Sequence, residues 1–343
     1  MPEDRFLSFF RLSLPAFIAL QHLIRTDIIF QNNSYNQQAD PAIQLACALY
    51  HFGQYGNSTV RAAEQLEIGE GTTRLYIYRT MIALLRQLPH YLVWPTKGSV
   101  SYREMRIGIE NSCDFVGCVG FVDGCDINLQ YAPSYHGETY MNRKKRYAIN
   151  IQGICNASRR FTYVSSGFPA SVGDPSVFAT TDFFRNPHHF FAKPDEYILG
   201  DKIYRVTRRC VTPYKDPLGR QEAGGYRWFN WSHAHARVKI EHTFGILKNR
   251  FRSLQCLPIK IRSAQDHCRA VGWIMACVVL HNFCHEQKED ETSYYHPRVI
   301  VPDEEDEIDN VDQGLSLLAE RQAGNEWRDR IREHLYNNRP DDY

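Results

Sequence analysis

The chain has 343 residues, 43% hydrophobic and 13% aromatic, which is enough apolar material for a sizeable core and excludes a disordered polymer. A formal net charge of +1 hides a segregated pattern, because residues 237–262 hold seven Lys/Arg against one acid while residues 303–312 hold seven acids and no base. Ten cysteines without a Cys-x-x-Cys pair read as free thiols of a reducing compartment, not as a zinc site or disulfide framework. There is no secretory-signal pattern, and the longest apolar run, residues 271–280, is too short to span a bilayer, so the expectation is a soluble nuclear and/or cytoplasmic protein without a membrane partner.

In chain order, residues 4–95 carry helical apolar spacing through 6–23, 43–50 and 75–88, with no strand signal before Leu92. Residues 58–66 read as a short helix capped by Ser58, residues 67–71 as a Gly-containing turn, and Thr72 as the cap of a longer helix with Arg74, Tyr78 and Arg79. That is a helix-turn-helix pattern, and equally the pattern of an ordinary helical hairpin.

From Cys113 the period changes to strands: one ending at Asp123, a second over 126–130, then 146–155 and 160–165 around an Asn156-Ala157-Ser158 turn. A helix to Phe184 is expected with Asp174 or Ser171 at its start, then a strand ending at Asp201, and a long loop or small insertion over 205–230 punctuated by Pro213, Pro217, Gly219, Gly224 and Gly225. Residues 233–251 form a basic helix, 264–284 a core helix, and an acidic linker leads to an amphipathic helix on Trp327, Ile331 and Leu335. The expected division is 1–112 helical, 113–285 α/β, and 286–343 linker with terminal helix.

Asp123 and Asp201 thus stand at strand ends and Glu241 on a helix. Three convergent carboxylates repel one another unless a cation joins them, and hard oxygen ligands suit Mg²⁺ or Mn²⁺. Two such ions about 3.5 to 4 Å apart activate water and stabilise a leaving oxygen in phosphodiester displacement. Around Glu241, helical spacing puts Arg237, Gly245 and Lys248 on one face. The plainer alternative is that Glu241 pairs with Arg237 on a solvated helix.

Gly120-x-x-Asp123-Gly124, Tyr140-x-Asn142-Arg143-Lys144, Asn150-x-Gln152, Leu199-Gly200-Asp201-x-x-Tyr204, Thr212-Pro213-Tyr214, Arg237-x-x-x-Glu241-x-x-Phe244-Gly245-x-x-Lys248-x-Arg250-Phe251 and Leu280-His281-Asn282 occur in the order seen in PIF/Harbinger transposases and Harbinger-derived nucleases. Over residues 115–285 the chain resembles their DDE endonuclease domain. His51-Phe52-Gly53 and Gly69-Glu70-Gly71-Thr72 also resemble the region preceding that domain in fungal members.

The resemblance implies an RNase H-like mixed sheet with flanking helices, preceded by an all-α region. It implies Asp123, Asp201 and Glu241 as catalytic residues, and the same three with Asp174 as ligands of two Mg²⁺ or Mn²⁺ ions. DNA is the implied substrate, met by Arg143, Lys144, Arg237, Lys248, Arg250 and Arg252, with a Myb/SANT-like protein as partner and homo-oligomerisation left open. The chain departs from the family pattern at Cys125-Asp126, Gly173 and Lys202-Ile203. Lys202 beside Asp201 either competes with a cation or assists at the scissile phosphate. A metal-dependent endonuclease or transposase is the leading reading; a domesticated DNA-binding or adaptor protein is the alternative.

Overall fold

The computed structural model describes residues 2–31, 35–56, 59–215, 225–295 and 315–339. Ser58, the acidic run 303–312, and Pro217, Gly219 and Gly224 of the expected loop lie outside the described residues. Seven helices come first: α1 Glu3–Phe10, α2 Leu14–Ile24, α3 Pro41–Gly53, α4 Thr59–Leu66, α5 Glu70–Leu85, α6 Leu88–Tyr91 and α7 Val100–Glu110. Their starts follow local chemistry, since Ser13, Asp40 and Ser99 each accept a backbone N–H of the first turn of α2, α3 and α7. Helix α5 begins at Glu70 behind Gly69, not at Thr72, and buries Thr73, Ile77, Met81 and Leu84. It packs on α3 and on the later helix α12, which spans Ala264–Glu286.

The sheet follows, with β1 Cys118–Asn128, β2 Ala148–Cys155, β3 Phe161–Pro169, β4 Tyr197–Leu199 and β5 Cys210–Val211 in the order β3-β2-β1-β4-β5. Strands β1, β2 and β3 are antiparallel, whereas β4 runs parallel to β1 and β5 parallel to β4. One strand therefore replaces the two expected over 113–130. Gly124 does not turn the chain: it pairs with Gln152 in mid-strand, and pairing with β2 continues to Asn128. The short strand β5 falls inside the segment expected to be loop.

Between β3 and β4 lie α8 Asp174–Thr180, α9 Asp182–Arg185 and α10 Pro187–Phe190. The single expected helix is broken at Thr181, which is extended and caps the next turn through Phe184 N–H. Helix α11 spans Tyr226–Arg250, seven residues earlier than the 233 start read from the sequence, because Gly225 in the left-handed region (φ +75°) marks the helix start and not the middle of a loop. Helix α13, Leu315–Asn337, closes the described chain.

The sheet is covered on both faces. Phe121, Ile127, Ile149 and Ile151 meet Ile240, Phe244 and Leu247 of α11 and the apolar face of α12 in a core continuous with α1–α5 and α13. Val119, Val122, Ile154 and Ile198 meet Tyr102 and Met105 of α7 and Phe178, Phe183 and Phe190 of α8–α10. No single helix among the described residues is long and apolar enough to cross a membrane.

Candidate active site

Asp123 follows Phe121 by two residues, so strand alternation directs it to the α11 face. Asp201 lies two residues beyond the end of β4, the parallel neighbour of β1, and Glu241 lies one helical turn after Arg237 on α11. The three acids surround one guanidinium: Arg237 is 3.3 Å from Asp123 Oδ1, 3.5 Å from Asp201 Oδ1 and 3.9 Å from Glu241 Oε1. Arg237 is only 8% exposed, and its Nε is buried without a hydrogen-bond partner. Burial draws its pKa down, but Asp123, Asp201 and Glu241 together hold it above the ordinary value. Expected to face a phosphate, Arg237 is instead the internal counter-ion of the cluster.

One positive charge does not balance three carboxylates. Burial, opposed by Arg237 and reinforced by Asp201, Asp174 and Glu241, pushes the Asp123 carboxyl up to about 7. Backbone N–H groups hold two of the acids in place: Gly124 donates to Asp123 Oδ1 (3.0 Å) and Lys202 to Asp201 Oδ1 (2.6 Å). Among the described residues no group of three His, Cys, Asp or Glu side chains is placed to hold a metal ion. The hard oxygen donors and the shortage of positive charge do fit a divalent cation.

Asp174, at the start of α8, sits apart from the Arg237 group. Gly124 pairs with Gln152 and Asp126 with Asn150, so these four occupy the sheet face opposite Asp123. Asp174 Oδ1 accepts from Asn150 Nδ2 (2.6 Å) and Gln152 Nε2 (2.7 Å) there. Tyr204 Oη donates to Gln152 Oε1 (2.6 Å), and Asn142 Nδ2 to Asp126 Oδ2 (2.9 Å). Burial raises the pKa of Asp174 while the two amides lower it. A Cβ at position 124 would stand 2.1 Å from Asp174 Oδ1, so only glycine fits beneath this carboxylate. The amide network was invisible to charge patterning, although Asn150, Gln152 and Tyr204 all belong to the ordered motif set.

A groove runs across this region, lined by Asp123, Asp126, Asp174 and Glu241 and flanked by Arg143, Lys144 and Lys248. Lys248 donates through Nζ to the backbone oxygen of Asp126 (2.7 Å). Arg250, expected at DNA, is 1% exposed, donates to the Asp290 carbonyl (2.8 Å) and lies over the Tyr294 ring, so it is a core residue. Its position follows from helix period: seven residues after buried Thr243, it shares that inner face. Arg252 is exposed but does not line the groove. His281 and Asn282 also serve the fold: the Asn282 amide bonds Phe161 N–H, Phe161 C=O and Tyr91 C=O (2.8–3.0 Å), tying α12 to the outer strand β3 and to α6.

The mixed sheet thus gathers Asp123 from β1, Asp201 from just beyond β4 and Glu241 from α11 around one guanidinium, with Asp123 and Glu241 reaching a groove that has basic flanks. Residues 122–282 match the model of the DDE superfamily endonuclease family. Among curated proteins it is similar to the Arabidopsis thaliana protein "Antagonist of like heterochromatin protein 1", 24% identical over 82% of this chain and 74% of that protein. It is likewise similar to the Homo sapiens protein "Putative nuclease HARBI1", 24% identical over 82% of this chain and 77% of that protein. No solved structure matches the chain.

Proposed function

We propose that the chain is a divalent-metal-dependent DNA endonuclease with an RNase H-like catalytic sheet, hydrolysing phosphodiester bonds at Asp123, Asp201 and Glu241. The observation that carries this reading is the meeting of acids from β1, the β4 end and α11 around Arg237, with Asp123 and Glu241 reaching the groove. Asp123, Asp201 and Glu241 are the residues to hold Mg²⁺ or Mn²⁺, which on binding would supply an acidified water and neutralise developing phosphate charge, while Asp174 reaches the groove from the opposite face of the sheet. Arg237 keeps the acids assembled against their mutual repulsion, and the groove's Arg143, Lys144 and Lys248 hold the phosphate backbone. Recognition of particular DNA ends falls to a separate Myb/SANT-like protein in this proposal.

The test is nicking of supercoiled plasmid with Mg²⁺ or Mn²⁺ and with EDTA. The wild-type chain is expected to nick only with the cation, and Asp123→Asn and Asp201→Asn to lose the activity. Equal background in all three proteins removes the nuclease reading. It leaves a DNA-binding or adaptor role without hydrolysis, a reading favoured by Arg237 standing where a cation is needed and by the printed name of the Arabidopsis relative, which refers to a chromatin protein and not to a nuclease.

A further inference from the structure

Helix α13 lies outside the matched region 122–282, yet it is built into the same groove. Its backbone rests on the segment after Asp201: a Cβ at Gly324 would stand 2.7 Å from Thr207 Cα. Arg328 donates to the carbonyls of Thr212 (3.3 Å) and Pro213 (3.2 Å) and lies 3.9 Å from the centre of the Tyr214 ring, whose hydroxyl donates to Asp329. Ile331 and Leu335 are buried in the main core. The helix is thus fixed in place, and one turn before Gly324 it carries Arg321 to the groove wall that Pro213 and Lys215 also line.

Lys215 and Arg321 are both exposed, and among the described residues neither makes an ion pair or a side-chain hydrogen bond. The cations are also crowded. Partial burial first, and then Arg321, Arg328 and Lys202, hold the Lys215 ammonium below the ordinary lysine value. Like charges gathered on one wall are relieved by an anion, and Arg328 is already engaged by carbonyls, so Lys215 and Arg321 are the two that face outward.

We propose that Lys215 and Arg321 form a phosphate-binding wall through which α13 extends the nucleic-acid path beyond the family region, so that the backbone runs from Arg143 and Lys144 past the acids to α13. The inference rests on the reading of the groove as a DNA site, but not on hydrolysis. The test is fluorescence anisotropy of a labelled DNA duplex with the full chain in EDTA over a series of NaCl concentrations. Each phosphate contact contributes close to one unit of slope in log K against log salt. Lys215→Ala and Arg321→Ala are each expected to flatten the slope by about one, and the double variant by about two. Arg330→Ala, an exposed cation on the same helix that does not line the groove, is expected to leave the slope unchanged. A double variant with the wild-type slope overturns the wall while leaving the DNA reading intact, as does an equal effect of Arg330→Ala. A wild-type chain that binds no duplex overturns both, and loss of nicking with the slopes as predicted removes only the nuclease reading.

Discussion

Arg237 is the residue on which the acid cluster depends. A guanidinium reaching three carboxylates cannot be removed without leaving several buried charges uncompensated, and breaking a buried ion pair on one side costs about 3 to 5 kcal/mol. Arg237→Ala is therefore expected to lower unfolding free energy by about that amount in urea titration at pH 8. Asp123→Asn behaves oppositely. The Asp123 pKa is raised in the fold from 3.8 to about 7, so its contribution to stability is fully present below pH 3.8 and is lost as pH rises through 7. At pH 8 the ionised carboxylate opposes folding by up to about 4 kcal/mol. Asp123→Asn should accordingly raise stability at pH 8 and offset much of the Arg237→Ala loss in the double variant. Additive losses from the two substitutions would show that the pair is not coupled.

At the scale of elements, Gly124 shows what the sequence carried and what it hid. That Asp123, Asp201 and Glu241 meet was legible in part, because apolar runs end in acids and the helical period around Glu241 is strong. The division of β1 was misread because an Asp-Gly pair after a strand has the chemistry of a turn; here the glycine is kept in mid-strand by Asp174, fifty residues away, whose carboxylate lies where a Cβ belongs. Likewise, Arg250 looked like a surface cation because its partners, the Asp290 carbonyl and the Tyr294 ring, come from a distant segment. Long-range packing of this kind has no local signal. Gly124→Ala is expected to cost about 1 to 3 kcal/mol by forcing Asp174 off Asn150 and Gln152, and Asp174→Ala to relieve most of that cost in the double variant. Thermal melting of the four proteins checks this, and an unrelieved loss would place the strain in β1 itself.

Across the whole molecule, three histidines are folded into apolar surroundings as neutral rings. Burial lowers His51 to about 4 and His233 and His281 to about 3, and the last two meet the carbonyls of Val211 (3.2 Å) and Arg159 (2.9 Å) through Nε2. The unfolded chain takes up these protons near pH 6.5 and the folded chain does not, so stability falls as pH drops from about 6.5 toward 4. Asp123 and Asp174, both raised by burial, work against this trend, while His242, His267 and His285, lowered by burial, add to it. Unfolding free energies from urea titrations between pH 7.5 and 4.5 should fall by an amount on the order of several kcal/mol, and a flat profile would show that these rings are not held neutral.

The central claim is that acids drawn from β1, the β4 end and α11 act as one hydrolytic unit. Its most direct test is the cation-dependent nicking rate of Asp123→Asn, Asp201→Asn and Glu241→Gln, measured singly and combined. Groups that act as a unit are strongly non-additive, because losing one member removes the function of the rest. The expected result is that each single substitution abolishes nicking as completely as the triple one while all variants still bind duplex DNA. A Glu241→Gln protein that nicks at the wild-type rate, or three small losses that simply multiply, would contradict it.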